Sequence, residues 1–464
     1  MSTKKNDSWV NAVRFILDEC ARLSTIAATD FKRISRVDAF HSLPHPSGTG
    51  SLICGQAASE KLRLLAQEAS RRNGLSRQIE ESTIRRPLEN LLVVRFMKEA
   101  RPIETAQVDR LLSTAAKQAN AKLVTTTHFL PCHLISASDP ERIDIGPITF
   151  HSRKSFRALL LKNARDSKSV ERNEQQQLRR RLLARAISYY RNFRWVAEVT
   201  VLDCDAATSA EVAKHAVIAA LDCIHLLFGF ERTSHMQVSG PGLRADRRAS
   251  LTISQSGLVE PSLSSSLFGH VEYTDGWSKT LNNDEYRSWI SLFGVALEAA
   301  VNPKLERPLS RRFLDAAQWF GEACREDSAS TRTIKFMTSV ERLLTTGEHG
   351  DISKVMAERT ANLCFHPDGT REAWREKTTK AYDYRSRLVH GSMAPRDPAT
   401  RSGARLAAEV SQTVLLRALD AFDENGLRAP NMSEKRLAKW FKEIDTWANN
   451  FEGSRIAGPS ATAF

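Results

Sequence analysis

The stretch "AYDYRSRLVHGS", residues 381–392, sets an arginine, Arg385, five positions ahead of a histidine, His390, with a glycine directly after it. An imidazole titrates near neutral pH and can take or give a proton, and a guanidinium is a permanently charged fork that fits phosphate oxygens. Together they are close to a minimal kit for cutting RNA without a metal. A 2′-hydroxyl loses its proton and attacks the neighbouring phosphate, and positive charge meets the phosphorane as it forms. Spacing alone is a weak signal. Arg36 and His41, in "RVDAFH", repeat it, and with 12 histidines in the chain about one accidental match is expected. The competing reading makes His390 a cation at its helix C-terminus, where the dipole favours one, and Arg385 a surface ion-pair partner.

Geometry limits how such a pair can work. On a regular helix five residues turn through about 500°, so the two side chains diverge by roughly 140°. Either the helix opens between Val389 and Gly391, or a second protomer completes the site; both are expected. Ala381, Tyr384 and Leu388 share one helical stripe that should be core, with Arg385 at its edge.

The elements around the pair are helical. "NNDEYRSWISLFGVALEAAV", "LSRRFLDAAQWFGEACRE", "TRTIKFMTSVERLLTT", "DISKVMAERTANLCF", "TREAWREKTTKAYDYRSRLVHG" and "RSGARLAAEVSQTVLLRALDAFDEN" follow one another through short loops, which predicts an all-α bundle. In the second, Phe313, Leu314, Ala317, Phe320 and Cys324 form one stripe. Residues 1–120 also read as helical, with "HSLPHPSGTGS" a loop by its Pro, Gly and Ser content. Between them, 121–260 reads as a small α+β domain. "LVTTTHFLPCHL", "RIDIGPITFHS", "RWVAEVTVLDCD", "SHMQVSG" and "RASLTISQSG" are strand-like. "TSAEVAKHAVIAALDCIHLLFGF" is a helix with a capping box at Thr208 and Glu211, a stop at Gly229, and His215 and His225 on its polar flank. Residues 453–464 are expected to be a disordered tail.

Net charge is +13, and the segment 151–194 carries thirteen Lys or Arg against three acids. A solvated helix face is the plain explanation. The functional one is a phosphate-tracking surface: Arg179, Arg180, Arg181, Arg185, Arg191 and Arg194 are interleaved with Phe156, Tyr189, Tyr190, Phe193 and Trp195. Such rings stack on unpaired bases, though some of them must be core. The seven cysteines are widely spaced with no C-x-x-C pair, which suits reduced thiols. With no signal peptide and no apolar run of membrane-spanning length, a cytoplasmic location is expected. "HFLPCH" lacks a second ligand pair at zinc spacing, and "SGPGLRADRR" lacks the P-loop lysine, so neither a metal nor another cofactor is expected.

"RRFLDAAQWFGEAC", "SVERLLTT", "ISKVMAERTANLC" and "KAYDYRSRLVHG" fall in one line over about 80 residues. That succession resembles the Apea-like branch of the HEPN superfamily, over roughly residues 305–425. The Arg36 copy has no such neighbourhood. The resemblance implies a helical bundle that forms a homodimer and sets two arginine–histidine elements face to face, in many members as a metal-independent endoribonuclease of defence or toxin systems. Arg385 and His390 would be the catalytic pair. Ser386 departs mildly from the Asn, Asp or His common after the arginine. Ser386, Asp383, Glu341 and Arg359 would be supporting residues, the last two because they are charges inside otherwise apolar helical patterns.

The expected molecule is therefore mixed: an α-helical N-terminal region, a small α+β middle domain, and an all-α region, 261–450, that contains the HEPN bundle. It would cleave RNA in antiviral defence, gripping it through the basic segment, because residues 304–424 are nearly neutral with 20 basic and 18 acidic side chains. A phage-derived trigger would act on the preceding domains. The rival reading from another class is a catalytically silent HEPN protein that serves as an RNA-binding sensor or dimerisation scaffold.

Overall fold

The computed structural model describes residues 2–25, 41–135, 140–166, 174–231, 233–240, 244–253, 255, 259–268, 277–348, 350–364 and 370–450. The protein is mostly helical with a small sheet region in the middle of the chain. It divides into two compact units, Met1–Thr126 with Val201–Glu211, and Thr127–Thr200 with Val212–Phe464. Most of the middle sheet falls in the same unit as the C-terminal helices, while the ends of two of its strands fall in the first.

The first unit contains α1 (Ser2–Ser24), a hairpin of β1 (His41–Pro44) and β2 (Ser51–Cys54), α2 (Gln56–Arg72), α3 (Glu81–Leu92) and α4 (Thr105–Asn120). Leucines at helical spacing close its core: Leu62 and Leu65 of α2, Leu88 of α3, and Leu111 of α4 are fully buried. "HSLPHPSGTGS", expected as a loop, forms the first strand and turn of that hairpin, with Leu43 paired to Leu52. Pro and Gly signals mark the turn, and they hide strands of only four residues. His41 hydrogen-bonds Glu89 of α3 at 2.7 Å, so the second arginine–histidine copy supplies a packing contact; Arg36 lies outside the described residues.

The middle sheet has the order β4–β5–β6–β3–β7, from β3 (Val124–His133), β4 (Arg142–Ile145), β5 (Ile148–Ser152), β6 (Trp195–Cys204) and β7 (Gln237–Val238). The basic segment is two helices, α5 (Arg153–Asp166) and α6 (Glu174–Tyr190), between β5 and β6. Helix α7 (Ala206–Phe228) follows. Its N-terminal cap is Asp205, whose Oδ1 accepts from the Thr208 amide at 2.8 Å, so the expected capping box at Thr208 and Glu211 is displaced by three residues. Next come β8 (Arg244–Ile253) and β9 (Val259–Phe268), an antiparallel ribbon. The serines and Pro261 of β9 concealed a strand at the point where the chain was expected to turn helical. One ribbon face aligns Ala249 with Leu263, Leu251 with Pro261 and Ile253 with Val259. Leu251, Ile253 and Leu263 of that face are 71%, 72% and 81% exposed, so nothing among the described residues covers it.

The remaining helices are α8 (Trp277–Thr280), α9 (Asp284–Val301), α10 (Pro308–Cys324), α11 (Ala329–Leu344), α12 (Ile352–Cys364), α13 (Arg371–Val389), α14 (Ala399–Arg428) and α15 (Glu434–Asn450). Helices α10, α11 and α14 pack on one another, and α13 lies against α11, α12 and α14. The expected stripe on α10 is core: Phe313, Ala317, Phe320 and Cys324 are fully buried. Helix α15, which the pattern did not single out, seats Trp440, Phe441 and Ile444 in the interior. Two glycines allow close approaches between elements. Gly146, in the β4–β5 turn, lies so close to Gly294 of α9 that a Cβ on it would stand 2.4 Å from the Gly294 Cα. A Cβ on Gly321 of α10 would stand 1.8 Å from the Asp222 carboxylate of α7.

Candidate active site

Helix α13 carries the candidate pair. Thr370 caps its start by accepting from the Ala373 amide, and buried Trp374, Thr378 and Ala381 fix the face turned to the bundle. Tyr384 is half-buried against Gly403 of α14, where a Cβ would fall 2.8 Å from the ring. Leu388, expected in the core, is also half-buried, because the last turn of α13 runs beyond the packed bundle.

That last turn stays helical through Val389. His390 is the C-terminal cap, its amide donating to the Ser386 carbonyl at 2.9 Å, and Gly391 turns the chain away at φ +78°. The helix thus opens between Val389 and Gly391, as expected, with ψ near 2° at His390, but only after the His390 amide has made its helical bond. Arg385 and His390 keep helical divergence, and convergence on one phosphate within a single protomer is not built in. His390 is exposed, with no ring partner among the described residues. Ser386, next to Arg385 in sequence, is half-buried.

Arg385 is more constrained. Its terminal nitrogen stands 3.2 Å from Oε1 of Glu341 on α11, and its guanidinium lies 5.4 Å from the Tyr382 ring centre. Its Nε is buried with no acceptor among the described residues. Burial, with Glu341 nearby, pushes the Tyr382 phenol up. Glu341 thus orients Arg385 and offsets part of its charge. The other two expected supporting residues face elsewhere. Arg359 pairs with Glu348 at 2.7 Å, donates to the Leu344 carbonyl and stacks over Phe441 at 4.2 Å. Asp383 pairs with Arg387 at 3.6 Å on the exposed side of α13. Tyr382 is the neighbour that the charge pattern did not select; its position three residues before Arg385 on one helix was the available signal.

In the basic segment, Arg181, Arg185, Arg191 and Arg194 are exposed, and the Arg179 and Arg180 side chains lie outside the described residues. Of the interleaved aromatics, Phe156, Phe193 and Trp195 are buried, Tyr190 donates to the Phe129 carbonyl at 2.6 Å, and Tyr189 to the Gly240 carbonyl at 2.8 Å. These rings hold α5 and α6 to the sheet more than they line an open face.

A second polar cluster lies in the interior. The Arg325 guanidinium, after α10, donates to Asp222 Oδ1 at 2.7 Å and to His225 Nε2 at 3.2 Å. With Nε2 accepting, His225 Nδ1 donates to Thr233 Oγ1 at 2.7 Å, which in turn donates to the Gly229 carbonyl. Burial pushes the Asp222 carboxyl up to about 7 against the pull of Arg325, and its second oxygen has no partner among the described residues. Burial, then the Arg325 charge, holds the His225 imidazole well below its usual range, so it is neutral. His225 is therefore core, whereas His215 is exposed on the polar flank as expected. Among the described residues no group of three or more His, Cys, Asp or Glu side chains is arranged to hold a metal, and no helix is long and apolar enough to cross a membrane.

No protein-family model, curated protein or solved structure matches the chain.

Proposed function

We propose that the protein is a metal-independent endoribonuclease of the HEPN type, acting as a homodimer in antiviral defence. One observation carries the reading: an exposed imidazole, with no ring partner among the described residues, caps the helix on which Glu341 holds a half-buried guanidinium. His390 would take the proton from a 2′-hydroxyl or return one to the departing 5′-oxygen, and Arg385 would face the phosphorane. The O2′–P bond forms as the P–O5′ bond breaks, leaving a 2′,3′-cyclic phosphate and a 5′-hydroxyl. Because the two side chains diverge on α13, the site is completed across a two-fold axis, with His390 of one copy meeting Arg385 of the other. RNA is held by the exposed arginines of α6, and the N-terminal unit senses a phage-derived trigger. The cytoplasm is the expected place of action.

A second reading is favoured by the Glu341 contact itself. A carboxylate 3.2 Å from Arg385 competes with any phosphate, which suits a catalytically silent RNA-binding sensor or dimerisation scaffold. Incubation with total RNA in EDTA, beside Arg385→Ala and His390→Ala, separates the two. Cleavage by the wild type alone, leaving 2′,3′-cyclic ends, is the expected result. Equal cleavage by all three proteins, or none in the presence of infected-cell lysate, would sink the nuclease and leave the scaffold.

A further inference from the structure

Between α5 and α6 lies a hollow of about 370 Å³, within the range of small-molecule sites. Phe156, Leu160, Ile187 and Phe193 line it, with Tyr190 stacked on Phe156 at 5.5 Å between ring centres. The Tyr190 hydroxyl is tied to the Phe129 carbonyl, so this aromatic wall is fixed before anything binds. Arg153, Arg157 and Arg191 complete the lining. All three are exposed, and none has a carboxylate partner among the described residues. Arg153 spends its Nε on the Phe193 carbonyl at 3.1 Å, which aims the rest of its guanidinium without neutralising it.

Three unneutralised guanidinium groups around an apolar, partly aromatic hollow call for one kind of ligand: an anion attached to a flat ring. A bare phosphate would leave the apolar wall wet, and an uncharged ring would leave three like charges without a counter-charge. A nucleotide satisfies both parts, its base against the wall and its phosphate on the arginine fork. We propose that this hollow is a nucleotide site, filled either by a free nucleotide or by one unit of a single-stranded RNA. Arg153 and Arg157 are thereby added to the residues that contact nucleic acid. The inference rests on reading residues 151–194 as a segment that faces nucleic acid, and it narrows that reading to one pocket.

Calorimetric titration of the full chain tests it, with AMP, adenosine, inorganic phosphate and a single-stranded oligodeoxyadenylate that 2′-hydroxyl chemistry cannot cut. AMP should bind at least tenfold more tightly than adenosine or phosphate if the source is free nucleotide; binding of the oligonucleotide alone assigns the pocket to a unit of the chain. In either case the double variant Arg157→Gln, Arg191→Gln should weaken the bound ligand at least tenfold. Both residues are exposed and make no ion pair among the described residues, so folding should survive the change. Leu160→Trp, which fills the hollow without altering charge, should do the same. Unchanged binding in both variants overturns the proposal. If the oligonucleotide depends on Arg181 and Arg185 but not on Arg157 and Arg191, the pocket falls while the wider RNA-binding reading stands. If AMP depends on Arg157 and Arg191 and no oligonucleotide binds, the pocket stands and the RNA-binding reading falls.

Discussion

Burial keeps both Asp222 and His225 neutral, raising the acid and lowering the base, and the two shifts cancel in the stability of the fold. An unfolded aspartate loses its proton near pH 4, and an unfolded histidine gains one below about pH 6.5. In the folded chain Asp222 keeps its proton up to about 7, whereas His225 does not take one in that range. Between those limits the pair holds one proton whether folded or unfolded, so it leaves stability flat with pH. Asp222→Asn should expose the histidine's slope, with stability, relative to the wild type, falling as pH drops below about 6.5. His225→Gln should expose the aspartate's slope, with stability falling as pH rises from about 4 through about 7. The limiting slope in each case is about 1.4 kcal/mol per pH unit, read from denaturant unfolding at several pH values. Slopes of the same sign in the two variants would contradict the assigned protonation states. Neither role was legible in "ALDCIHLLF", because the residue that joins the two, Arg325, lies a hundred positions further on. By contrast, the candidate pair Arg385 and His390 was visible in sequence, since both stand on one helix. Their orientation was not: the contact that restrains Arg385 comes from Glu341 on another element.

At the scale of elements, the periodic helices were readable because their buried faces repeat every three or four residues. Short strands were less so, since four residues of β1 carry too little pattern to outweigh the Pro and Gly beside them. The glycine contacts show what periodicity omits. A glycine inside a helix ordinarily weakens it by about 1 kcal/mol relative to alanine. Gly321 reverses that sign. Its missing side chain is what lets the Asp222 carboxylate of α7 reach Arg325 across α10, and an added methyl would overlap that buried carboxylate. Gly321→Ala is expected to destabilise the protein by about 1–3 kcal/mol, measured by denaturant unfolding. A neutral or stabilising effect would mean that α7 and α10 sit further apart.

Across the whole molecule, charge and proposed chemistry are separated along the chain but share a unit. The thirteen basic residues of 151–194 and the nearly neutral stretch that carries Arg385 and His390 both belong to the second compact unit. Affinity for RNA should therefore respond to α6 without any change in the candidate site. Arg181→Gln with Arg185→Gln should weaken RNA binding, and the slope of log affinity against log salt should lessen by about 0.7 for each phosphate that is no longer neutralised. An unchanged slope would make α6 an ordinary solvated helix. The first unit cannot simply be trimmed away to test its role. Its residues Val201–Glu211 return from far along the sequence, where the Asp205 carboxylate accepts from the Glu80 amide at 2.8 Å and the Gln78 side chain donates to the Asp203 carbonyl at 2.7 Å. A deletion that ends at residue 126 would leave those groups bare.

The β8–β9 ribbon has a consequence for solvent as well as for packing. Each strand has a single neighbour among the described residues, and in an antiparallel pair only alternate amides point toward it. The other half of the amides along both ten-residue strands face outward. In deuterated water their hydrogens exchange ahead of the inward ones, so the ribbon reads as a comb of fast and slow positions. A strand laid along either edge would turn the fast teeth on that side slow.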